Sequence, residues 1–169
     1  MEQLIKQIEQ WAEDRNIIKG SKPIDQAMKL FSEFGELADN VGKGRDCRDD
    51  IGDVFVVLTI MCKQLGSCVL DHFGFEYTCH SSKYAVSYLS NGLADFVGMA
   101  RSGNVSDELP DVLGYLSFIA STNGYDLEEC IQIAYNDIKD RKGVVYNGLF
   151  IKESDPAYKD ALIKLGKAQ

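Results

Sequence analysis

Apolar residues recur at intervals of three and four along most of this chain, the period of a helix with one buried face. Leu4, Ile5, Ile8 and Trp11 make such a stripe over about 2–16. Pro23 stands where a first helical turn tolerates a missing N–H, and it opens a second helix running to about Val41. Gly42-Lys43-Gly44-Arg45 breaks that helix, and a third follows from about Arg48 to Leu65. After Asp53 the third helix is apolar nearly all round, as a rod at the centre of a bundle must be. Helices are expected again at about 82–101, 106–122 and 126–141, the last opening with Asp126 and two glutamates at its electropositive end.

Two stretches depart from the helical period. Residues 66–80 carry alternating Phe73, Phe75 and Tyr77, a connector with room for a short strand. Residues 144–151 flank Asn147-Gly148, a dipeptide suited to a two-residue hairpin turn. A short polar helix follows from about Pro156. The expected fold is all-α: one helical domain over 1–169 with a small C-terminal β-hairpin.

Four carboxylates interrupt this apolar pattern as two pairs, Glu33 with Glu36 and Asp50 with Asp53. Side chains three apart share a helix face. The short linker makes helices two and three antiparallel neighbours, so the late part of one faces the early part of the next and the four groups converge. Clustered carboxylates repel unless a hard cation neutralises them, and Mg²⁺ is the usual ion where phosphates complete the shell. The competing reading is an exposed acidic face paired with Lys29, Lys43 and Arg48, as charges at helical spacing often are.

Glu33-Phe34-Gly35-Glu36 followed by Asp50-Ile51-Gly52-Asp53 resembles the ExxE and ExxD signature of the MazG-like all-α nucleoside triphosphate pyrophosphohydrolases. Asp50 stands where that family usually has Glu, and Ser32 where it often carries a further Glu. The flanking stretches 8–17, 135–143 and 147–152 are similar to the ends of small phage-type MazG-like proteins, so the resemblance covers roughly residues 1–65 and 125–153. It implies a MazG-like helical bundle with its motif helices over about 23–65 and a closing helix and hairpin over about 125–153. It further implies hydrolysis of an NTP or dNTP between the α- and β-phosphates to give monophosphate and pyrophosphate. Mg²⁺, or Mn²⁺ in its place, would be held by Glu33, Glu36, Asp50 and Asp53. Glu33 or Glu36 has the reach to orient or deprotonate the attacking water. Relatives of this kind pair their bundles, so a homodimer or homotetramer is expected.

A triphosphate carries more charge than two divalent ions neutralise. Lys139, Arg141 and Lys142, with Asn136 one turn before Lys139, are candidates for phosphate contact, as are Lys43 and Arg45 beside the acidic pairs. Cations at a helix C-terminus also have a purely structural explanation. Trp11 with Arg15 one turn later suits base stacking, although a lone Trp on an apolar stripe equally suits the core.

The middle of the chain reads as a repeat-like insertion over about 66–124. Residues 49–58 align without gaps with 107–116, the register continues from Gly66 to Gly124, and 36–41 matches 92–97 after a two-residue shift. The second copy keeps Glu108 and Asp111 but has Leu89 and Gly92 in place of Glu33 and Glu36. It cannot build the same site. Either it completes the bundle as a structural half, or Glu108 and Asp111 lend ligands elsewhere.

Composition narrows the setting. At 169 residues, with 45% hydrophobic and 26% charged, the chain can bury a core without staples. No apolar run is long enough to span a membrane, and the N-terminus lacks the apolar core of a signal peptide, so a cytoplasmic location without membrane association is expected. A net charge of −8 argues against a broad grip on nucleic acid. Cys47, Cys62, Cys68, Cys79 and Cys130 form no CxxC pair and suit reduced thiols. Cys68, His72, Cys79 and His80 match no common zinc spacing and read as parts of the connector. The rival to an enzyme is a non-catalytic protein that sequesters or senses a nucleotide, which the altered second copy and Asp50 keep open. A purely structural helical assembly factor would bind neither metal nor nucleotide.

Overall fold

Every residue from Val54 to Cys62 is buried, which makes the helix that carries them the axis of the molecule. The computed structural model describes residues 1–74 and 77–167. Its helices are α1 (Glu2–Asp14), α2 (Ile17–Gly20), α3 (Pro23–Lys43), α4 (Arg48–Gln64), α5 (Ser82–Ala100), α6 (Leu109–Thr122), α7 (Leu127–Lys139) and α8 (Tyr158–Lys164). Strands β1 (Gly143–Tyr146) and β2 (Leu149–Lys152) form an antiparallel hairpin. The protein is mostly helical, as its periodicity predicts.

The central rod is α4, and α7 packs on it most closely. Gly52 permits that approach: a Cβ there would stand 2.2 Å from the carbonyl oxygen of Cys130 on α7. Helices α3 and α1 cover other sides of α4, while α5 packs against both α6 and α3. Pro23 begins α3 as expected, and the Asp25 carboxylate accepts the Lys22 N–H at 2.7 Å, closing the first turn. Asp126 caps α7 by accepting the Glu129 N–H at 3.0 Å.

The hairpin turns on Asn147 and Gly148, both at positive φ (52° and 77°), the requirement of the tight turn that Asn-Gly favours. Val145 faces Phe150 in its register. The hairpin is tied to the corner between α1 and α2. The Val145 N–H donates to the Arg15 carbonyl at 2.8 Å, the Gly148 N–H to the Gly20 carbonyl at 3.0 Å, and the Asn16 amide to the Val145 carbonyl at 2.8 Å.

Three details differ from expectation. The short α2 follows α1 as a separate turn because Asn16 takes a left-handed conformation (φ 58°) between them. The start of α6 is Leu109, next to Pro110 in its first turn, three residues later than the apolar pattern suggests. In the connector, the described residues hold a 3-10 turn at Val69–His72 and no strand, and Phe75 lies outside the described residues. No helix among the described residues is long and apolar enough to cross a membrane.

Candidate functional site

Along one face of α4, Asp49 and Asp53 are followed at helical spacing by Val56, Val57 and Ile60, so a single stripe passes from acidic to apolar. Along α3, Asp25, Lys29, Glu33 and Glu36 form the facing stripe. Both stripes line a cavity of about 550 Å³. The opposite side is made by Trp11, Ile138 and Arg141 together with Val145, Gly148 and Phe150 of the hairpin. The cavity therefore has an acidic wall, an apolar floor and a guanidinium across from the acids.

The carboxylates in it are not equivalent. Glu33 is buried and Glu36 is exposed. Lys29, one turn before Glu33, forms an ion pair with it. Asp53 is half-buried, and burial pushes its carboxyl up to about 7. The charges of Glu33 and Asp49 push the same way, against smaller opposing effects of Lys29 and Arg141. Asp49 is raised by burial and then by Asp137, Asp50 and Glu33. Asp50 is raised mainly by burial and also by Glu33, while a hydrogen bond from the Asn40 amide at 2.8 Å opposes the rise. Asp49, Asp50 and Asp53 all feel Glu33, so the two helices do bring their acids together. Asp50 does not line the cavity; Asp49, four residues before Asp53, takes that position instead.

Among the described residues, no three His, Cys, Asp or Glu side chains stand as a group able to hold a metal ion in this arrangement. The chemistry of the donors is nonetheless oxygen-only, the kind that hard divalent cations take. Like charges crowd here, and the Lys29 ammonium is paired with Glu33.

The candidate substrate-binding residues divide. Arg141 and Trp11 line the cavity. The Trp11 indole N–H donates to the Ile138 carbonyl at 2.8 Å, and the Arg15 guanidinium lies 4.8 Å from the ring centroid. Trp11 is thus part of the packing and part of the wall at once. Lys139 and Asn136 do not line the cavity and bond each other, Lys139 Nζ donating to Asn136 Oδ1 at 2.9 Å. Lys142 lies in a neighbouring cleft with Arg141 and Lys152, 3.7 Å from Glu153. Lys43 and Arg45 both pair with Asp39, and Arg48 pairs with Asp46. The reading of a charge-paired acidic face is realised in Lys29 with Glu33, whose anionic end is buried.

Asp49, Asp25 and Gln26 line the site without having been singled out from the sequence, and Lys29 was named there only as a partner of the acidic face. The spacing of four between Asp49 and Asp53 was a usable signal; the hairpin wall had none, because it depends on a tertiary contact. In the second helix pair, Leu89 is buried and Gly92 packs on Val112, where a Cβ would meet a methyl at 2.8 Å. Asp111 there accepts a hydrogen bond from the Tyr77 hydroxyl. All five cysteines are free. His72 Nε2 is 2.8 Å from the Ser67 hydroxyl, and the His80 ring meets Tyr84 edge-on.

No protein-family model matches this chain, and no solved structure matches it. It is similar to the "uncharacterized 18.2 kDa protein in rep-hol intergenic region" of Haemophilus phage HP1, 53% identical over 66 residues. That similarity spans 38% of this chain and 40% of the phage protein.

Proposed function

We propose that this protein is a MazG-like nucleoside triphosphate pyrophosphohydrolase, cleaving an NTP or dNTP between the α- and β-phosphates. The observation that carries the reading is the meeting of acids from two successive helices on one wall of a cavity with an apolar floor. Its volume of about 550 Å³ suits a small organic ligand. An apolar floor beside charged groups also matches a nucleotide's division into base and phosphates. The base would lie toward Val56, Val57, Ile60 and Trp11, and the phosphates toward the acidic end and Arg141.

Glu33, Glu36 and Asp53, with Asp49 beside them in the cavity, would hold Mg²⁺ or Mn²⁺, and Asp50 would join them on leaving Asn40. When bound, the ion offsets phosphate charge and makes a coordinated water more acidic. Glu36, exposed in the cavity wall, has the reach to orient that water or take its proton. Arg141 faces the acids and supplies charge-assisted hydrogen bonds to phosphate oxygens. Trp11 is held by Ile138 and Arg15, so its ring offers a rigid apolar edge to the base.

The helix pair α5–α6 fits an internal repeat of α3–α4. The register that aligns 49–58 with 107–116 also matches Gly66 with Gly124, and both adopt positive φ (74° and 78°) just after their helices end. A homodimer or homotetramer belongs to this reading; the exposed stripe of Ile24, Met28 and Phe31 on α3 supports it.

The test is to incubate the purified protein with each NTP and dNTP in Mg²⁺ or Mn²⁺ and to assay both products. Pyrophosphate with an equal amount of monophosphate is expected. Orthophosphate release would overturn the reaction assigned, and tight binding without turnover would favour a nucleotide-sequestering protein.

A further inference from the structure

The ion pair between Lys29 and Glu33 is lopsided. The Lys29 side chain is 57% exposed and that of Glu33 only 5%. In an ordinary surface pair both ends sit in water and little is at stake. Here the anion is fixed inside the protein, and only the cation is free to leave. Lys29 and Glu33 line the same cavity as Asp49 and Asp53 of α4. Glu36 and Asp25 line it as well. Lys29 therefore sits where carboxylates of both helices draw a positive charge.

Resting on the reading that these carboxylates bind a divalent cation, we propose that Lys29 is the site's resident counter-ion, neutralising Glu33 in the metal-free protein and displaced when Mg²⁺ or Mn²⁺ binds. A bare carboxylate buried at this depth is strongly unfavourable, so the empty site needs a cation of its own. Lysine suits an exchangeable one: a compact point charge on a flexible stem, without the rigid two-pronged grip of arginine. Every ion that binds must release Lys29, so affinity in the absence of nucleotide is lower than the acids alone would give. The released ammonium stays on the cavity wall, where a triphosphate is the next anion available to it.

The test is Mn²⁺ binding without nucleotide, followed by calorimetry and by the paramagnetic resonance of free Mn²⁺. It compares wild type, Lys29→Met, Glu33→Gln and the double variant, with thermal melting to verify that each is folded. Lys29→Met is expected to tighten Mn²⁺ by about tenfold when Glu33 is present and to change it little when Glu33 is Gln. Lys29→Arg keeps the charge and should not tighten binding. If wild type binds Mn²⁺ and Lys29→Met binds no more tightly, the counter-ion role is overturned while the metal site stands. Equal tightening in both Glu33 backgrounds overturns it too, because that is a long-range charge effect without exchange. If neither wild type nor Lys29→Met binds Mn²⁺, the metal reading fails and this proposal fails with it.

Discussion

Two consecutive helix pairs, α3–α4 and α5–α6, meet the same packing requirement with opposite chemistry. Where α3 presents Glu33 and Glu36 to the cavity, α5 holds Leu89 and Gly92 at the same spacing, Leu89 fully buried and Gly92 against Val112. The first pair leaves a cavity and crowds like charges beside it, enough to push Asp53 up to about 7. The second closes its seam. A well-packed interface gains stability from every methylene it buries, whereas an acidic cleft gives some up. The acidic groups are thus collected in the pair that borders a cavity, while the aligned face of the other pair is packed shut.

Exchanging the residues between the pairs gives the largest expected effect. Leu89→Glu would put an unpaired carboxylate into a fully buried seam, a change expected to lose about 4 kcal/mol or more. Thermal unfolding should register a collapse in the melting temperature or an unfolded product. Glu33→Leu, in contrast, replaces a buried ion by an apolar side chain and should leave stability near or above wild type. If Leu89→Glu is tolerated, the α5–α6 seam is open and the contrast between the pairs dissolves.

Turnover sharpens the comparison from the other side. Glu36→Gln removes an exposed carboxylate of the cavity wall and is expected to slow hydrolysis by about 10²–10⁴-fold. Glu108→Gln, an exposed acid at the start of α6, should leave the rate unchanged. Steady-state pyrophosphate release separates these outcomes. Full activity in Glu36→Gln would remove that residue from the chemistry.

The third effect is a pH dependence with a definite sign. Asp53 has an ordinary value of 3.8 and a folded value of about 7, so between those limits the native state holds a proton that the unfolded chain has lost. Stability of the metal-free protein must then fall as pH rises from about 4 to 7 and level off above it, by on the order of 3 kcal/mol from this group. Asp49 and Asp50 are also raised and add to the same slope. Asp53→Asn should flatten much of it and be more stable than wild type at pH 8, measured by urea unfolding in chelator. An unchanged slope would mean that Asp53 is no more crowded than a surface acid.

Local chemistry explains what could be read from the sequence and what could not. The central position of α4 was legible because it is apolar on every side after Asp53, and only a surrounded helix tolerates that. The hairpin was legible because Asn147-Gly148 meets a backbone requirement that few other dipeptides meet. Of the acids that line the cavity, Glu33, Glu36 and Asp53 were legible and Asp49 was not, since spacings of three and four both keep a residue on one face. Asp49 lines the cavity, and Asp50 turns to Asn40. Lys139 and Lys142 looked available because they end a helix, yet Lys139 bonds Asn136 and Lys142 lies near Glu153. The far wall depends on the docking of residues 143–152 against the α1–α2 corner, a contact across more than a hundred residues that no local pattern announces.

The smallest effect concerns one acid from the early part of each second helix, Asp53 of α4 and Asp111 of α6. One lies in the cavity with its proton affinity raised; the other accepts a hydrogen bond from Tyr77, which pushes the tyrosine hydroxyl up to about 12. The Tyr77 ring packs against α6 so closely that a Cβ on Gly114 would stand 2.0 Å from it. Asp111 is therefore committed to fastening the connector onto the second pair. Tyr77→Phe keeps the ring and removes only the donor, so a loss of about 1 kcal/mol in unfolding free energy is expected, with turnover unchanged. A fall in turnover larger than the loss of folded protein explains would mean that the α5–α6 pair takes part in the chemistry. The acid at Asp111 would then be a lent ligand rather than a fastening.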